Sequence, residues 1–188
     1  MDTRLNNTAL LVMDLHLLHR LPEQQRQPLV DVLQKTIAAA RSAGIPIIYV
    51  VVGFRKGLPE VSMRNKRFGA MKQNSLGMDQ PPTFPSGLAP QPEDVIVTKR
   101  RFSAFTGSDL EVVLRAGEIW HLVLTGISTS GVVLSTLREA ADKDLQLTVL
   151  SDGCADGDSE LHSVLLTKVF PSQAEVLTAD QWIEGIRG

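Results

Sequence analysis

Three places in this chain combine residue types suited to proton transfer and to holding negative charge. Asp14 closes the apolar run Ala9-Leu10-Leu11-Val12-Met13, and Lys99 closes Asp94-Val95-Ile96-Val97-Thr98. The loop Gly126-Ile127-Ser128-Thr129-Ser130-Gly131 joins the run His121–Thr125 to a helical pattern that starts at Val132. A carboxylate at a strand end can give or take a proton, and an ammonium can hold an anion. A loop of small residues ahead of a helix leaves backbone amides where developing negative charge is stabilised. Each feature alone also has a plainer reading. A strand-ending Asp is often a turn or helix cap, Lys99-Arg100-Arg101 reads as a solvated basic turn, and Gly/Ser/Thr loops before helices are common. Their joint position is what points to chemistry, because open α/β sheets bind ligands outside the carboxyl ends of their strands. At adjacent strand ends, Asp14 and Lys99 would favour each other's charged forms.

The elements that must position them follow from apolar patterning. Besides the runs above, Pro46–Val52, Gln146–Leu150 and, more weakly, Ala174–Leu177 are short and continuously apolar, as in strands buried on both faces of a parallel sheet. Leu29, Val32, Leu33, Ile37 and Ala40 have helical spacing, stopped by Gly44 and Pro46. Ser108-Asp109-Leu110-Glu111 resembles a capping box for a helix that Gly117 ends. Val132 to Asp144 and Ser159 to Phe170 read as the later helices. Alternating strands and helices predict a doubly wound α/β fold, with a six-stranded, mainly parallel sheet and helices on both faces. A single domain over residues 1–188 is expected.

Composition excludes several classes. Hydrophobic residues make up 43% of the 188 and charged residues 21%, as in a globular protein. A net charge of −2 gives no footprint for nucleic acid. No apolar stretch is long enough for a membrane span, and Met1–Asn7 has no apolar signal core. The single cysteine, Cys154, suits a reducing cytoplasm. Residues 53–93 break the rhythm, with Pro59, Pro81, Pro82, Pro85, Pro90 and Pro92 and the basic residues Arg55, Lys56, Arg64, Lys66, Arg67 and Lys72. Such a long stretch is functional or hides a short element, and its charge run is a solvated or intersubunit surface or a lid that meets an anionic substrate.

The ordered set of motifs resembles the isochorismatase-like (cysteine hydrolase) superfamily. The resemblance rests on Ala9 to Asp14, Val97-Thr98-Lys99 with Ser103-Ala104-Phe105, and Leu122 to Gly126. Thr129, Thr136, Ala140 and Ser151-Asp152-Gly153-Cys154-Ala155-Asp156 complete it. It implies a Rossmann-like three-layer fold, with Asp14 as acid/base and Lys99 as the catalytic cation. Gly126, Ile127, Ser128, Gly131 and Val132 would form the backbone loop, the amides of Ser128 and Val132 would make the oxyanion hole, and Ile127–Ser128 would be a cis peptide. His16, where the family often has glutamine, Phe105 and Thr129 are candidate pocket residues.

The departures are as informative. Val132 stands where the family places its nucleophilic cysteine, and valine cannot form a thioester. Cys154 follows a different strand and is expected to be a small packing residue. Where nicotinamidases carry Asp-x-His, this chain has Gly53-Phe54-Arg55-Lys56, and His16 with His19 makes a poor zinc site. No metal and no other cofactor is expected. Isochorismatases in this family hydrolyse an enol ether without the cysteine. The resemblance therefore implies a hydrolase of a small-molecule substrate, a carboxylate or an enol ether, working by Asp/Lys acid–base catalysis. The alternative is a catalytically silent small-molecule-binding member of the fold. A homo-oligomer, dimer or tetramer, is expected, because Met63, Phe68, Met71, Leu76 and Met78 lack evident core partners and family members commonly associate.

Overall fold

A computed structural model describes residues 7–74 and 80–187. Six strands form one sheet: β1 (Thr8–Met13), β2 (Ile47–Val52), β3 (Val95–Lys99), β4 (His121–Ile127), β5 (Gln146–Ala155) and β6 (Glu175–Leu177). Their order is β3-β2-β1-β4-β5-β6, and every pairing is parallel. Alternate residues of each strand face opposite sides. Leu11, Met13, Val50 and Leu124 join one core, and Leu10, Val12, Tyr49 and Val123 the other.

Helices cover both faces. On the first lie α3 (Leu110–Ala116) and α4 (Leu134–Asp142), which contribute Leu110, Leu114, Leu137 and Ala140. Against the second pack α1 (Glu23–Ser42), through Leu29, Leu33, Ile37 and Ala40, and α6 (Ala179–Arg187), through Trp182 and Ile183. The expected three layers are therefore present, with an all-parallel sheet. Among the described residues no helix is long and apolar enough to cross a membrane.

Local differences from the sequence reading have identifiable causes. α1 begins at Glu23, well before the first apolar repeat, and carries Pro28 inside it. The capping box is incomplete. Ser108 Oγ accepts from Leu110 N at 3.3 Å, but Glu111 pairs with Lys143 and Arg115 instead of turning back. β5 runs on to Ala155 because a register irregularity takes up extra residues: Leu124 pairs Val149, yet Gly126 pairs Cys154. α4 is preceded by a π turn, Thr129–Val133. The last expected helix is α5 (Ser159–Val164), continued by a π turn and a 3-10 turn to Ser172.

Among its described residues the stretch 53–93 holds the helix α2 (Lys66–Gln73), capped by Asn65, whose side chain accepts from Phe68 N at 3.0 Å. Phe68 and Met71 are buried with Val52, Phe54 and Val61 in a small separate cluster. They find partners within the chain, which removes part of the reason for expecting self-association. Met63 is exposed, and Leu76 and Met78 lie outside the described residues.

Where β4 leaves the sheet, Gly126 has φ +138°, and a Cβ there would lie 2.2 Å from Met13 O. Gly126→Ala should therefore cost on the order of 3 kcal/mol or more. Gly185 lies inside α6 with open space around its Cα, so Gly185→Ala should be neutral or stabilise by up to about 1 kcal/mol. Denaturant melts of the two variants check this pair.

Candidate active site

The carboxyl ends of β1, β2 and β3 build the ionic centre. Asp14 follows β1 in a left-handed conformation, φ +56°, at the head of a 3-10 turn, Leu15–Arg20. Its side chain makes no cap hydrogen bond to that turn, so the cap reading fails. Oδ1 accepts from Val52 N at 2.9 Å, and Oδ2 pairs with Lys99 Nζ at 2.9 Å. Lys99 also donates to Arg101 O at 2.9 Å. Both residues are buried, Asp14 4% and Lys99 2% exposed. Their strands are not adjacent as expected: β2 lies between β1 and β3. The lysine side chain spans that gap, and the last residue of β2 contributes the amide between them.

A cavity of about 320 Å³ opens over this pair. The structure brings Asp14, Lys99, Ile127, Ser128, Gly131 and Val132 to its wall. Ile127–Ser128 is a cis peptide, as the motif resemblance implied. Gly131 allows close packing, since a Cβ there would lie 2.7 Å from Ser128 Oγ. Gly126 shapes the turn from behind and does not line the cavity.

Three pocket candidates are misplaced. Phe105 is a core residue beside Leu110 and Leu114, and the aromatic ring at the cavity is Phe102. Thr129 is fully buried and bonds His162 Nδ1 through Oγ1 at 2.8 Å, so it ties the loop to α5. His16 turns away from the cavity wall, because the 3-10 turn repeats every three residues and presents Asp14, Leu17 and Arg20 instead. Both His16 ring nitrogens are buried with no hydrogen-bond partner, and burial lowers its pKa.

Sequence reasoning missed Arg20 and named Arg67, Ser130 and Asp156 only within longer segments, without singling them out as cavity residues. Arg67 stood in the basic run, and α2 carries it to the cavity mouth beside Phe68 and Met71. Burial, and then the like charge of Arg67, lowers the pKa of Arg20. Other members of that run brace the loop: Arg55 pairs Glu60 at 2.7 Å, and Lys72 donates to Leu58 O at 2.8 Å. Asp156 lay in a motif already singled out. Its Oδ2 accepts from Ser130 N at 2.8 Å and Ser130 Oγ at 2.6 Å. Cys154 is packed in the core beneath β4, and burial pushes its thiol up to about 12. Among the described residues no group of three or more His, Cys, Asp or Glu side chains could hold a metal ion.

A doubly wound, all-parallel sheet thus carries a buried carboxylate–ammonium pair and a backbone loop at its carboxyl edge. Residues 8–181 match the isochorismatase domain, and the chain belongs to the isochorismatase family. It is 32% identical over 179 residues to the phenazine biosynthesis protein PhzD of Pseudomonas fluorescens, covering 92% of this chain and 83% of that one. Ureidoacrylate amidohydrolase RutB of Stutzerimonas stutzeri is 33% identical over 140 residues, 67% of this chain, and the chain spans only 56% of its length. The crystal structure of a cysteine hydrolase from Pseudomonas syringae pv. phaseolicola superposes with a TM-score of 0.86 at 25% identity, covering 96% of this chain and 92% of that one.

Two measurements follow from these environments. Cys154 should resist iodoacetamide in the native protein near neutral pH and react once denaturant unfolds the chain, as mass spectrometry would show; rapid native labelling would contradict its placement. His16, His121 and His162 all have pKa values lowered by burial from the ordinary 6.5. The unfolded chain therefore binds more protons, so their contribution is present above about pH 6.5 and lost as pH falls through the lower folded values. The urea midpoint should drop on acidification through that window, and His16→Gln should flatten the decline.

Proposed function

We propose that this chain is a thiol-independent hydrolase of small anionic molecules, with carboxyvinyl (enol) ethers as the substrate class its residues fit best. The observation that carries the reading is the content of the cavity: a proton-moving carboxylate paired with an ammonium, and no thiol among the described residues of its wall. The resemblance assigns Val132 to the family's nucleophile position. Cys154 is buried in the core, with a thiol that stays protonated near neutral pH. An acyl-thioester route, as an amide substrate would need, has no starting group. Arg20 and Arg67 at the wall supply charge for a carboxylate.

In this reading the substrate carboxylate docks between Lys99 and the arginines, and Asp14 enters the cycle carrying a proton. Asp14 then delivers its proton to the terminal vinyl carbon. The C=C electron pair forms the new C–H bond and leaves an oxocarbenium ion. Water adds to that carbon, and the hemiketal collapses with cleavage of the bond to the leaving alcohol, releasing pyruvate. Loop amides and Lys99 hold the negative charge of the carboxylate throughout.

The branched side chain of Val132 favours a second reading, a silent binder, because it occupies wall space at the reacting position. Pyruvate release from a panel of carboxyvinyl ethers, followed by NMR, separates the two. Asp14→Asn should lower kcat by ~10²–10⁴-fold, since the amide keeps the shape and cannot exchange the proton. Lys99→Met should lower the rate too, and should destabilise the fold by about 3–5 kcal/mol by stranding a buried carboxylate. Cys154→Ala should keep full turnover, and loss of activity there would sink the thiol-free route. Ligand binding with no Asp14-dependent turnover would establish the silent binder.

A further inference from the structure

The enol-ether reading places Asp14 beside the vinyl carbon it protonates, so the attacking water has use for a proton acceptor on its own side of the substrate. Asp14 has just given up its own proton and faces Lys99, so a second acceptor at the other end of the cavity would complete the cycle. The sheet supplies the spacing. Met13, Gly126 and Cys154 stand level across β1, β4 and β5, so Asp14 and Asp156 leave their strands almost side by side, two strands apart. Two strand spacings place their backbones about 10 Å from each other. Paired carboxylates in inverting glycosidases stand ~6.5–9.5 Å apart, which leaves room for a substrate and a water between acid and base.

Ser130 lies in the π turn that follows the intervening strand, β4, and lines the same cavity as Asp14 and Asp156. Its Oγ–H donates to Asp156 Oδ2 at 2.6 Å, so the oxygen's lone pairs are left for a proton from outside. Asp156 is 8% exposed, and Ser130 N at 2.8 Å and Asp158 N at 3.2 Å fix the orientation of its carboxylate.

We propose that Ser130 and Asp156 form a second acid–base arm, which takes the proton of the water that adds to the substrate. This rests on the enol-ether reading. As the water oxygen bonds to the oxocarbenium carbon, its proton passes to Ser130 Oγ and the Ser130 hydroxyl proton passes to Asp156. When the hemiketal collapses, Asp156 returns that proton through Ser130 to the leaving alcohol oxygen. The hemiketal hydroxyl gives its proton to Asp14. Both carboxyl groups end as they began, and no co-reactant is needed. Ser130 touches the water; Asp156 acts through it.

The test compares Ser130→Ala, Asp156→Asn and Asp14→Asn on a carboxyvinyl ether that the wild-type protein turns over. Ser130→Ala should lower kcat about 10²-fold with KM near wild type. Asp156→Asn keeps an acceptor for Ser130 N but cannot take a proton, so its kcat should fall and then climb with pH as bulk hydroxide replaces the base. A merely structural loop anchor would instead raise KM and leave the shape of the pH–rate profile unchanged, and that result overturns the proposal. Full kcat in Ser130→Ala and Asp156→Asn, with Asp14→Asn impaired, also overturns it and leaves the parent reading standing. Turnover indifferent to Asp14→Asn, or wild-type protein that turns over no carboxyvinyl ether, removes both.

Discussion

The buried pair of Asp14 and Lys99 governs this structure, because two charges taken out of water must be matched to the last hydrogen bond. Desolvating each ion costs several kcal/mol, repaid only by good geometry and by partners for the remaining lone pairs and protons. Here the match comes from three successive strands. β1 ends on the carboxylate, β2 offers the amide of Val52 to Oδ1, and β3 ends on the ammonium, which also meets Arg101 O. A register slip of one residue in any of them would turn the wrong side chain towards the cavity. The chain just beyond is held accordingly: Gly53 N donates to Lys99 O at 3.2 Å, and Arg100 Nη1 donates to Gly53 O at 2.6 Å.

Two carboxylates of one cavity are thus kept by different means. Asp14 is matched by a full opposite charge from two strands away. Asp156 is held by hydroxyl and amide donors from its own and the neighbouring loop. The opposite helix-side anchor, Thr129 with His162, fixes the same loop from below. The backbone between β4 and α4 is therefore secured by side chains from the β5–α5 junction.

The strand ends were the legible part of the sequence. Asp14 and Lys99 each close an apolar run, and that placement needs only periodicity and the rule that ligands bind at carboxyl ends. The order of strands was not legible, because nothing in the runs says that β2 would separate β1 from β3. His16, Phe105 and Thr129 were misplaced for related reasons. Nearness in sequence to Asp14 says little about facing when the turn is 3-10, and the residues flanking a motif are often its packing. Arg20 had no signal beyond its three-residue spacing from Leu17. α2 was allowed for as a short hidden element but not located, because its eight residues carry few apolar positions, although Asn65 ahead of Phe68 is a capping signal.

The small cluster of Val52, Phe54, Val61, Phe68 and Met71 has a consequence for how such a molecule can change. Asp14 and Lys99 sit at the carboxyl edge of the sheet, whose two faces are packed by the two large cores. The cavity wall that carries Arg67, Phe68 and Met71 is packed mainly through this satellite of five buried residues. The ion pair and this part of the cavity wall thereby belong to different packing units. Substitutions among residues 54–73 therefore fall on the wall of the cavity and its satellite cluster, apart from the two large cores that hold the sheet.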